Sequence, residues 1–336
     1  MASSDRAVSA LVAVLPAATA VRIRRGSSLP YDATVTVAGT EMRVRWLPVG
    51  WPRQVKEALR QHPTPRVLAA PLMSPGARKA AGEAGVGWVD ESGAAEISLP
   101  HLVISKTGNP ASPPDAKVGW RAGTLAVCEA LLGGCATPTV ASVVQATELS
   151  PSTVAAALKF LEHDGHLASD AARGRESARR ITDRDALIDA YAAAASRLRT
   201  PMSLRVGVLW RDPLAGAADL GRQLSAAGMP WAATSALAAA VLAPIQTEVA
   251  PLEIYVAAKA PSDLRRAANV ARLTEMDGGR LLLRPFPTPA GPALTTDLAA
   301  GLRSVLWPRA YADLRTTGVR GEDAAEHLRE EITRER

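Results

Sequence analysis

In the middle of the chain, two successive segments have hydrophobic residues at the spacing of an α-helix, and a short polar turn separates them. The first segment spans residues 139–147, and its spacing predicts a short helix. The second begins at Ser150, a residue type that caps helices, and is followed by a proline suited to the first helical position. Its apolar residues Val154, Leu158 and Leu161 recur every three or four positions and are expected to face inward.

A strand and a basic loop follow this second helix. We expect the helix to end at Asp164-Gly165, residues 167–169 to form a strand, and DAARGRESARR to form the turn of a hairpin. Two helices and such a hairpin within residues 116–183 predict a winged helix-turn-helix. The second helix of this motif enters the major groove of DNA.

The residues expected to contact DNA fall into two groups. The first turn of the second helix is small and polar, which lets the backbone approach base edges, and arginines of the wing suit phosphates or a minor groove. The predicted DNA-binding residues are Ser150, Ser152, Thr153, Lys159, Arg173, Arg175, Arg179 and Arg180. The alternative is a small helical bundle with an exposed basic loop. Four arginines within eight residues favour the wing.

The chain on either side of this segment has mixed helix and strand patterns. The N-terminal pattern predicts a helix at 7–19, a strand VRIRR, a hairpin at 33–47, a helix near 52–62, a strand RVLAAPLM, a helix at 75–84 capped by Ser74, and strands within VGWVDESGAAEIS and HLVISKTG. A proline-rich linker, NPASPPDAK, follows. The C-terminal pattern predicts strands at VGVLW, MPWAATS, LEIYVA (alternating) and RLLLRPF, and helices at 213–227, at ALAAAVLA, after a Ser262 cap, and at the end of the chain.

Charge is distributed unevenly along the chain, whose formal net charge is +6. Residues 1–115 hold 13 basic and 9 acidic side chains, residues 116–200 hold 10 and 9, and residues 201–336 hold 16 and 15. The excess therefore lies mostly in the N-terminal third. A modest positive charge favours polyanionic partners without identifying one.

The cysteines indicate a reducing compartment, and the hydropathy pattern indicates no membrane span. Cys128 and Cys135 have no zinc-ligand spacing and form no disulfide framework, and both are expected to be buried free thiols. No apolar run reaches the roughly 20 residues that a membrane span needs. The first residues resemble a signal peptide superficially, but the arginine cluster follows the apolar part rather than preceding it. We expect a cytoplasmic protein.

Four arginines near the N-terminus predict a second anion site. Arg22 and Arg24 share one strand face, and Arg43 and Arg45 share another, so neighbouring strands would join them into one basic surface. The alternative is an ordinary solvated face. The hypothesis is that this surface binds single-stranded DNA or another anionic effector and thereby switches the winged helix.

Two other places carry residues that enzymes use. Asp32 precedes a hairpin with Glu41 and Arg43, similar to the metal-binding acids and lysine of PD-(D/E)xK nucleases, but arginine replaces the lysine and the spacing is short. Glu253 and Tyr255 share a strand face where a nucleotidyltransferase needs paired carboxylates. A metal-dependent nuclease or nucleotidyltransferase is therefore the alternative. The chain is predicted not to be an enzyme and to have no catalytic residue, metal or cofactor.

Four motifs, in order along the chain, resemble those of the AbiEi-like antitoxin family of type IV toxin–antitoxin systems. The members of this family are winged-helix transcriptional regulators. The four motifs are GVGWVDESGAAEISLPHLVI, SPSTVAAALKFLEHDGHL, WRDPL…WAATSALAA…LEIYV and LWPRAYADLRTTGVRGEDAAEHLRE. One departure is Ala94 after Gly93, where the family often has asparagine. The resemblance implies DNA binding by the winged helix and autoregulation beside a toxin gene.

These patterns together predict an α/β multidomain protein. An inactive nuclease-like α/β domain with its linker would occupy residues 1–115, the winged helix-turn-helix 116–183, and an inactive nucleotidyltransferase-like α/β domain 184–336. The predicted function is that of a bacterial, sequence-specific transcriptional regulator bound to a double-stranded DNA operator. The alternative is a type IV antitoxin that acts chiefly by contact with a toxin protein or by autoregulation.

Overall fold

The computed structural model describes residues 3–16, 19, 21–25, 32–37, 39–61, 63–99, 102–109, 119–169, 179–198, 202–244 and 250–334. The chain divides into two compact units. The first comprises Met1–Pro114 and Gly318–Asp323, and the second comprises Asp115–Thr317 and Ala324–Arg336. The residues on both sides of position 183 belong to the second unit. Both units are mixed α/β structures.

The first unit is a mixed sheet with helices on both faces. The elements are α1 (Ser3–Val14), β1 (Val21–Arg25), β2 (Ala33–Val37), β3 (Thr40–Trp46), α2 (Pro52–Leu59), β4 (Val67–Ala70), α3 (Pro75–Glu83), β5 (Gly87–Asp90), β6 (Ala94–Leu99) and β7 (Leu102–Thr107). The seven described strands lie side by side in chain order. The pairs β3–β4 and β4–β5 are parallel, and the other neighbouring pairs are antiparallel. The parallel pairs require crossovers, which α2 and α3 supply.

Alternation along the strands gives this sheet two different faces. Val35, Met42 and Val44 pack with α1 in one apolar cluster. Leu68 and Trp88 pack with α2 and α3 in a second cluster on the opposite face. Because successive side chains of a strand point to opposite faces, this division fixes the direction of every residue on β2 and β3.

The second unit joins three helices and a hairpin to a second mixed sheet. The described strands of that sheet have the order β10-β13-β12-β11-β15-β14. From Ala122 onward the elements are α4 (Ala122–Gly133), α5 (Val140–Thr147), α6 (Pro151–His163), β8 (Leu167–Ser169), β9 (Arg179–Ile181), α7 (Arg184–Arg197), β10 (Leu204–Val206), α8 (Pro213–Ala226), β11 (Trp231–Thr234), α9 (Ser235–Leu242), β12 (Leu252–Val256), α10 (Pro261–Val270), β13 (Leu281–Pro285), β14 (Thr295–Asp297), β15 (Arg303–Val305), α11 (Trp307–Leu314) and α12 (Val319–Arg334).

Several element predictions are wrong in position. The first helix ends at Val14 rather than at residue 19, since Pro16 cannot continue a helix. The strand expected at VGVLW ends at Val206, and Leu209 is 98% exposed. Helix α10 begins before Ser262, because the carboxylate of Asp263 accepts hydrogen bonds from the two backbone N–H groups that precede Pro261.

Two burial predictions are also wrong. Cys128 is buried as expected, but Cys135 is exposed, because it follows the left-handed Gly134 that ends α4. The strand LEIYV is buried along its whole length rather than on alternate residues, because both faces of its sheet are covered. Over the described ranges, no helix combines the length and apolarity that crossing a membrane requires.

A buried carboxylate organises the turn between β5 and β6. Asp90 is 1% exposed, and its two oxygens accept hydrogen bonds from the backbone N–H groups of Met73, Ser92 and Ala94 and from the side chains of Ser92 and Arg78. The turn therefore has a structural acid at its centre, which also connects it to the loop before α3.

We expect Asp90→Ala to lower the free energy of unfolding by about 3 kcal/mol, because it leaves several buried donors without an acceptor. The matched control is the next residue, Glu91→Ala, which breaks an ion pair with Arg6 whose side chains are both about one-third exposed. That change should cost at most about 1 kcal/mol. Urea denaturation of the two variants measures both values, and equal losses would contradict the structural role of Asp90.

Candidate nucleic-acid interface

The second helix of the helix-turn-helix starts as the sequence predicts. Ser150 caps α6, and its hydroxyl accepts the backbone N–H of Thr153 at 3.3 Å. The same hydroxyl lies 3.1 Å from that of Ser152 and 2.8 Å from that of Thr153. Three hydroxyl groups therefore cluster at the exposed N-terminus of α6, where helix backbone N–H groups favour an anion.

The turn before α6 sets its direction. Glu148 adopts a left-handed conformation with φ of 57° and ends α5, and Leu149 is half-buried against the apolar cluster that includes Ala126 and Ala130 of α4. The predicted inward residues Val154, Leu158 and Leu161 are all buried, together with Ala157. The opposite side of α6 is consequently free to meet a partner.

The free side of α6 is an exposed stripe of small and polar residues. Ser152, Ala155, Ala156, Lys159 and His163 are all exposed and recur at helical spacing. We call these five residues the α6 stripe. Its two alanines allow close approach of the backbone, and its polar members have donors and acceptors suited to base edges or phosphates.

The wing begins as a short antiparallel hairpin. Strand β8 pairs with β9 in the register Leu167↔Ile181 and Ser169↔Arg179. The guanidinium of Arg179 donates to Glu162 of α6 at 3.0 Å, so this arginine connects the wing to the helix. Arg180 follows it on β9 and is exposed. Arg173 and Arg175 lie outside the described residues.

The strand register brings the four N-terminal arginines onto one face of the first unit. Strand β2 lies between β1 and β3, with the pairs Arg22↔Thr36, Arg24↔Thr34 and Thr34↔Arg43. Arg45 follows two positions later on β3. All four side chains are therefore on the face opposite α1, although β1 and β3 are not direct neighbours.

The same register separates the two acids of the nuclease alternative. Glu41 pairs with Thr36, whereas Asp32 precedes the other end of β2. Four residues of strand separate them, about 13 Å. The carboxylate of Asp32 instead accepts the backbone N–H of Trp46 at 2.7 Å and lies 3.9 Å from Arg45. Across the described part of the chain, no cluster of three His, Cys, Asp or Glu side chains is arranged to hold a metal.

The acidic residue of the transferase alternative is buried in the second unit. Glu253 is 3% exposed and lies 3.9 Å from Arg284 on the adjacent strand. Tyr255, on the same face of β12, donates its hydroxyl to Asp313 of α11 at 2.8 Å. These side chains belong to a buried polar cluster rather than to an open cleft.

That cluster joins the helix-turn-helix to the C-terminal sheet. Arg309 and Asp313 form a buried ion pair on α11, with 2.5 Å between nitrogen and oxygen. Asp313 also accepts the hydroxyl of Thr234 on β11 at 2.6 Å. From the other side, the Tyr191 hydroxyl of α7 donates to Glu129 of α4 at 2.7 Å. Helix α11 packs against α4, α7 and α9, so it is shared by both halves of the unit.

The charge balance of this cluster favours a protonated acid. Burial raises the pKa of Glu129 to about 7, against the opposing effects of Arg309 and of the hydrogen bond from Tyr191. Burial also raises the pKa of Tyr191 well above its usual range. One guanidinium thus meets two carboxyl groups, and Asp313 is the one directly paired with it.

Sequence reasoning missed this cluster, although two signals for it are visible. Glu129 is the one charged residue in the apolar helix AGTLAVCEALLG, where an acid needs a buried partner. Arg309 and Asp313 are four residues apart within WPRAYADL, the spacing of a helical ion pair. Neither signal identifies the partner in a distant element.

The raised pKa of Glu129 predicts a pH-dependent stability. The folded pKa of Glu129, about 7, exceeds the ordinary pKa of a glutamate, 4.5, so the fold favours the protonated form. The contribution is fully present below pH 4.5 and is lost as pH rises through 7. We therefore expect Glu129→Gln to match the parent protein below pH 4.5 and to exceed its stability above pH 7 by up to about 3 kcal/mol, at about 1.4 kcal/mol for each pKa unit.

Urea denaturation across this pH range measures the difference between parent and variant. Glu148→Gln, which changes an exposed acid in the same helix-turn-helix, is the control and should leave the pH profile unchanged. A constant difference between Glu129→Gln and the parent from pH 4 to pH 8 would refute the proposed titration.

The comparison with known proteins found no match. No protein-family model, no curated protein and no solved structure matches the chain.

Proposed function

We propose that this protein is a sequence-specific DNA-binding transcriptional regulator that reads duplex DNA with α6. The observation that carries the proposal is the α6 stripe, which begins at a capped helix N-terminus with exposed hydroxyl groups and contains no acidic residue. A helix of this kind fits a major groove, with its first turn nearest the bases.

The chemistry of the stripe supports base contacts as well as phosphate contacts. Ser152 and Thr153 offer hydroxyls that donate or accept, Ala155 and Ala156 offer methyl groups for thymine, and Lys159 suits a guanine edge or a phosphate. Arg179 holds the wing to α6 through Glu162. Arg180, Arg173 and Arg175 are then the wing residues proposed to contact the DNA backbone.

The proposal includes membership of the AbiEi-like family, which rests on the four sequence motifs. The first unit is then a nuclease-like domain and the C-terminal sheet a nucleotidyltransferase-like domain, both without catalysis. The separation of Asp32 from Glu41 and the burial of Glu253 support that inactivity. An operator near the protein's own gene follows from the same resemblance, and the proposed cytoplasmic location rests on the cysteines and the hydropathy pattern of the sequence.

Replacing Ser152 and Thr153 together with glutamate should abolish specific DNA binding. Each lost base contact costs about 1–3 kcal/mol, and the added charges repel phosphate. The matched control is Ala186→Glu/Ser196→Glu, which adds the same charge at exposed positions of α7. Selection from a random duplex library by the parent protein first identifies the bound sequence, and gel-shift titration then compares the three proteins.

An unchanged affinity of the Ser152→Glu/Thr153→Glu variant, with a normal melting temperature, would show that α6 is not the reading helix. Failure of the parent protein to enrich any duplex sequence would refute sequence-specific binding altogether. Equal loss of binding in the α7 control would show that added charge alone explains the effect.

The wing arginines should act mainly through phosphates. We expect Arg173→Ala/Arg175→Ala to weaken specific and non-specific duplex binding by similar factors. The slope of log affinity against log salt should become shallower by about 2, because each phosphate contact contributes about 0.9. Titrations between 50 and 200 mM salt measure this, and a loss confined to the selected sequence would instead indicate minor-groove readout.

A further inference from the structure

Three arginines of the first unit lie in one row across neighbouring strands. The β1–β2–β3 register places Arg24 beside Thr34 and Thr34 beside Arg43. The next position in the row is Arg66, which precedes β4 and donates its backbone N–H to the carbonyl of Arg43 at 2.8 Å. We call Arg24, Thr34, Arg43 and Arg66 the arginine row.

The apolar clusters contribute no residue to the row's own face of β1 and β2, although Thr34 in the row is itself buried. Its strand neighbours Val35, Met42 and Val44 pack against α1 on the opposite face. On the row's own face, the cluster formed by α2 and α3 includes no residue of β1 or β2. Arg24 and Arg66 are exposed accordingly, and Arg43 is half-buried.

Among the described residues, no carboxylate forms an ion pair with the row. Within the described part of the first unit, Arg24, Arg43 and Arg66 have no acid within ion-pair distance. The stretches of this unit outside the described residues contain no Asp or Glu in the sequence, so they cannot supply one. Asp32, the acid nearest along β2, is already bonded to the backbone N–H of Trp46.

Such an arrangement is unfavourable without a counter-ion. Arg43 and Arg66 are neighbours, since the backbone N–H of Arg66, just before β4, donates to the carbonyl of Arg43, and like charges held close together repel each other. Thr34 lies between Arg24 and Arg43, is 3% exposed, and its hydroxyl finds no hydrogen-bond partner among the described residues. Two independent features, an uncompensated charge and an unused hydroxyl, therefore point to an anion at the same place.

The dimensions of the row fit a chain of phosphates. Strands lie about 4.8 Å apart, so the three intervals from Arg24 to Arg66 span about 14 Å. Arg22 lies two positions from Arg24 along β1, about 7 Å, and widens the basic surface. Arg45 is as far from Arg43 along β3 but lies 3.9 Å from the carboxylate of Asp32, and Glu41 shares that strand face on the other side of Arg43. Guanidinium groups bind phosphate oxygens in a bidentate manner, which suits several successive phosphates better than a single small anion.

We propose that the arginine row binds the phosphate backbone of single-stranded DNA. A single strand is flexible enough to follow a straight row of guanidinium groups, whereas the phosphates of a duplex follow a helical path and few of them meet a flat sheet face. The row's side chains are guanidinium and hydroxyl groups, so recognition is of the backbone and independent of sequence. This site is separate from the α6 stripe and goes beyond the duplex-binding function proposed above.

The test uses the full-length protein and a fluorescent 20-nucleotide oligodeoxythymidylate. The test variant, Arg24→Ala/Arg66→Ala, changes two exposed residues, so the fold should be retained and its melting temperature should not fall. We expect its affinity for the oligonucleotide to drop on the order of tenfold, and the salt slope to become shallower by about 1.4, at about 0.7 per phosphate contact on single strands. Arg24→Lys/Arg66→Lys keeps the charge and should recover part of the affinity.

Two controls separate this site from the duplex-binding helix. Lys79→Ala/Lys106→Ala removes two exposed charges elsewhere in the same unit and should leave oligonucleotide binding unchanged. Ser152→Glu/Thr153→Glu should lose the duplex operator but keep the oligonucleotide, and Arg24→Ala/Arg66→Ala should do the reverse. Failure of one proposal is thus visible without failure of the other.

Three results would overturn the inference. The first is parental affinity of Arg24→Ala/Arg66→Ala for the oligonucleotide. The second is the absence of salt-sensitive binding by the parent protein. The third is a non-specific 20-base-pair duplex bound more tightly than the single strand, with the same dependence on Arg24 and Arg66, which would assign the row to duplex DNA.

Discussion

The second unit depends on one buried guanidinium, that of Arg309, and on the groups that compensate its charge. A charged side chain taken out of water costs several kcal/mol unless a counter-charge and hydrogen bonds replace its hydration. Asp313 supplies the counter-charge from the next turn of α11, and Thr234 and Tyr255 donate to the same carboxylate. Burial alone would lower the pKa of Arg309, but Asp313 outweighs it and holds that pKa well above its ordinary value. Separating α11 from the sheet would leave this charge without its partners, so the constraint applies to the unit rather than to one helix.

The same constraint extends to α4 and α7, the helices that precede and follow α5, α6 and the β8–β9 hairpin. Glu129 and Tyr191 belong to α4 and α7, and Arg309 acts on the pKa of both. A second buried arginine, Arg329 of α12, binds Asp189 of α7 at 3.0 Å and also contacts Asp185. Arg329 therefore fixes α7 to the C-terminal part of the chain, and the hydrogen bond from Tyr191 to Glu129 joins α7 to α4, while α6 contributes no residue to either contact. This explains why the helix-turn-helix forms one compact unit with the sheet that follows it, and why its stripe stays available on the surface.

The parts of the fold that could be predicted from the sequence are those whose cause is local. The cap at Ser150, the inward triad of α6 and the hairpin of β2 and β3 each follow from neighbouring residues, and all are confirmed. Ser262 failed as a cap because α10 already begins at Pro261, where Asp263 accepts the backbone N–H of the preceding Ala260. The burial of Glu129 and the exposure of Leu209 depend on distant elements, and the spacing of hydrophobic residues along the chain gives no information about those elements.

The arginines of the two units also show that contacts between neighbouring residues can be predicted from the sequence, whereas contacts between distant segments cannot. Arg309 has an acid four residues away, a spacing that a helix converts into a contact and that is visible in the sequence. Arg24, Arg43 and Arg66 are about twenty residues apart, and only the hairpin and the parallel crossover bring them into one row. Arginine on a helix can thus carry its own counter-ion, whereas a row across strands collects charge from separate segments. Part of the basic excess of residues 1–115 is for this reason gathered in the arginine row, whereas the buried arginines Arg309 and Arg329 of the second unit are paired with carboxylates.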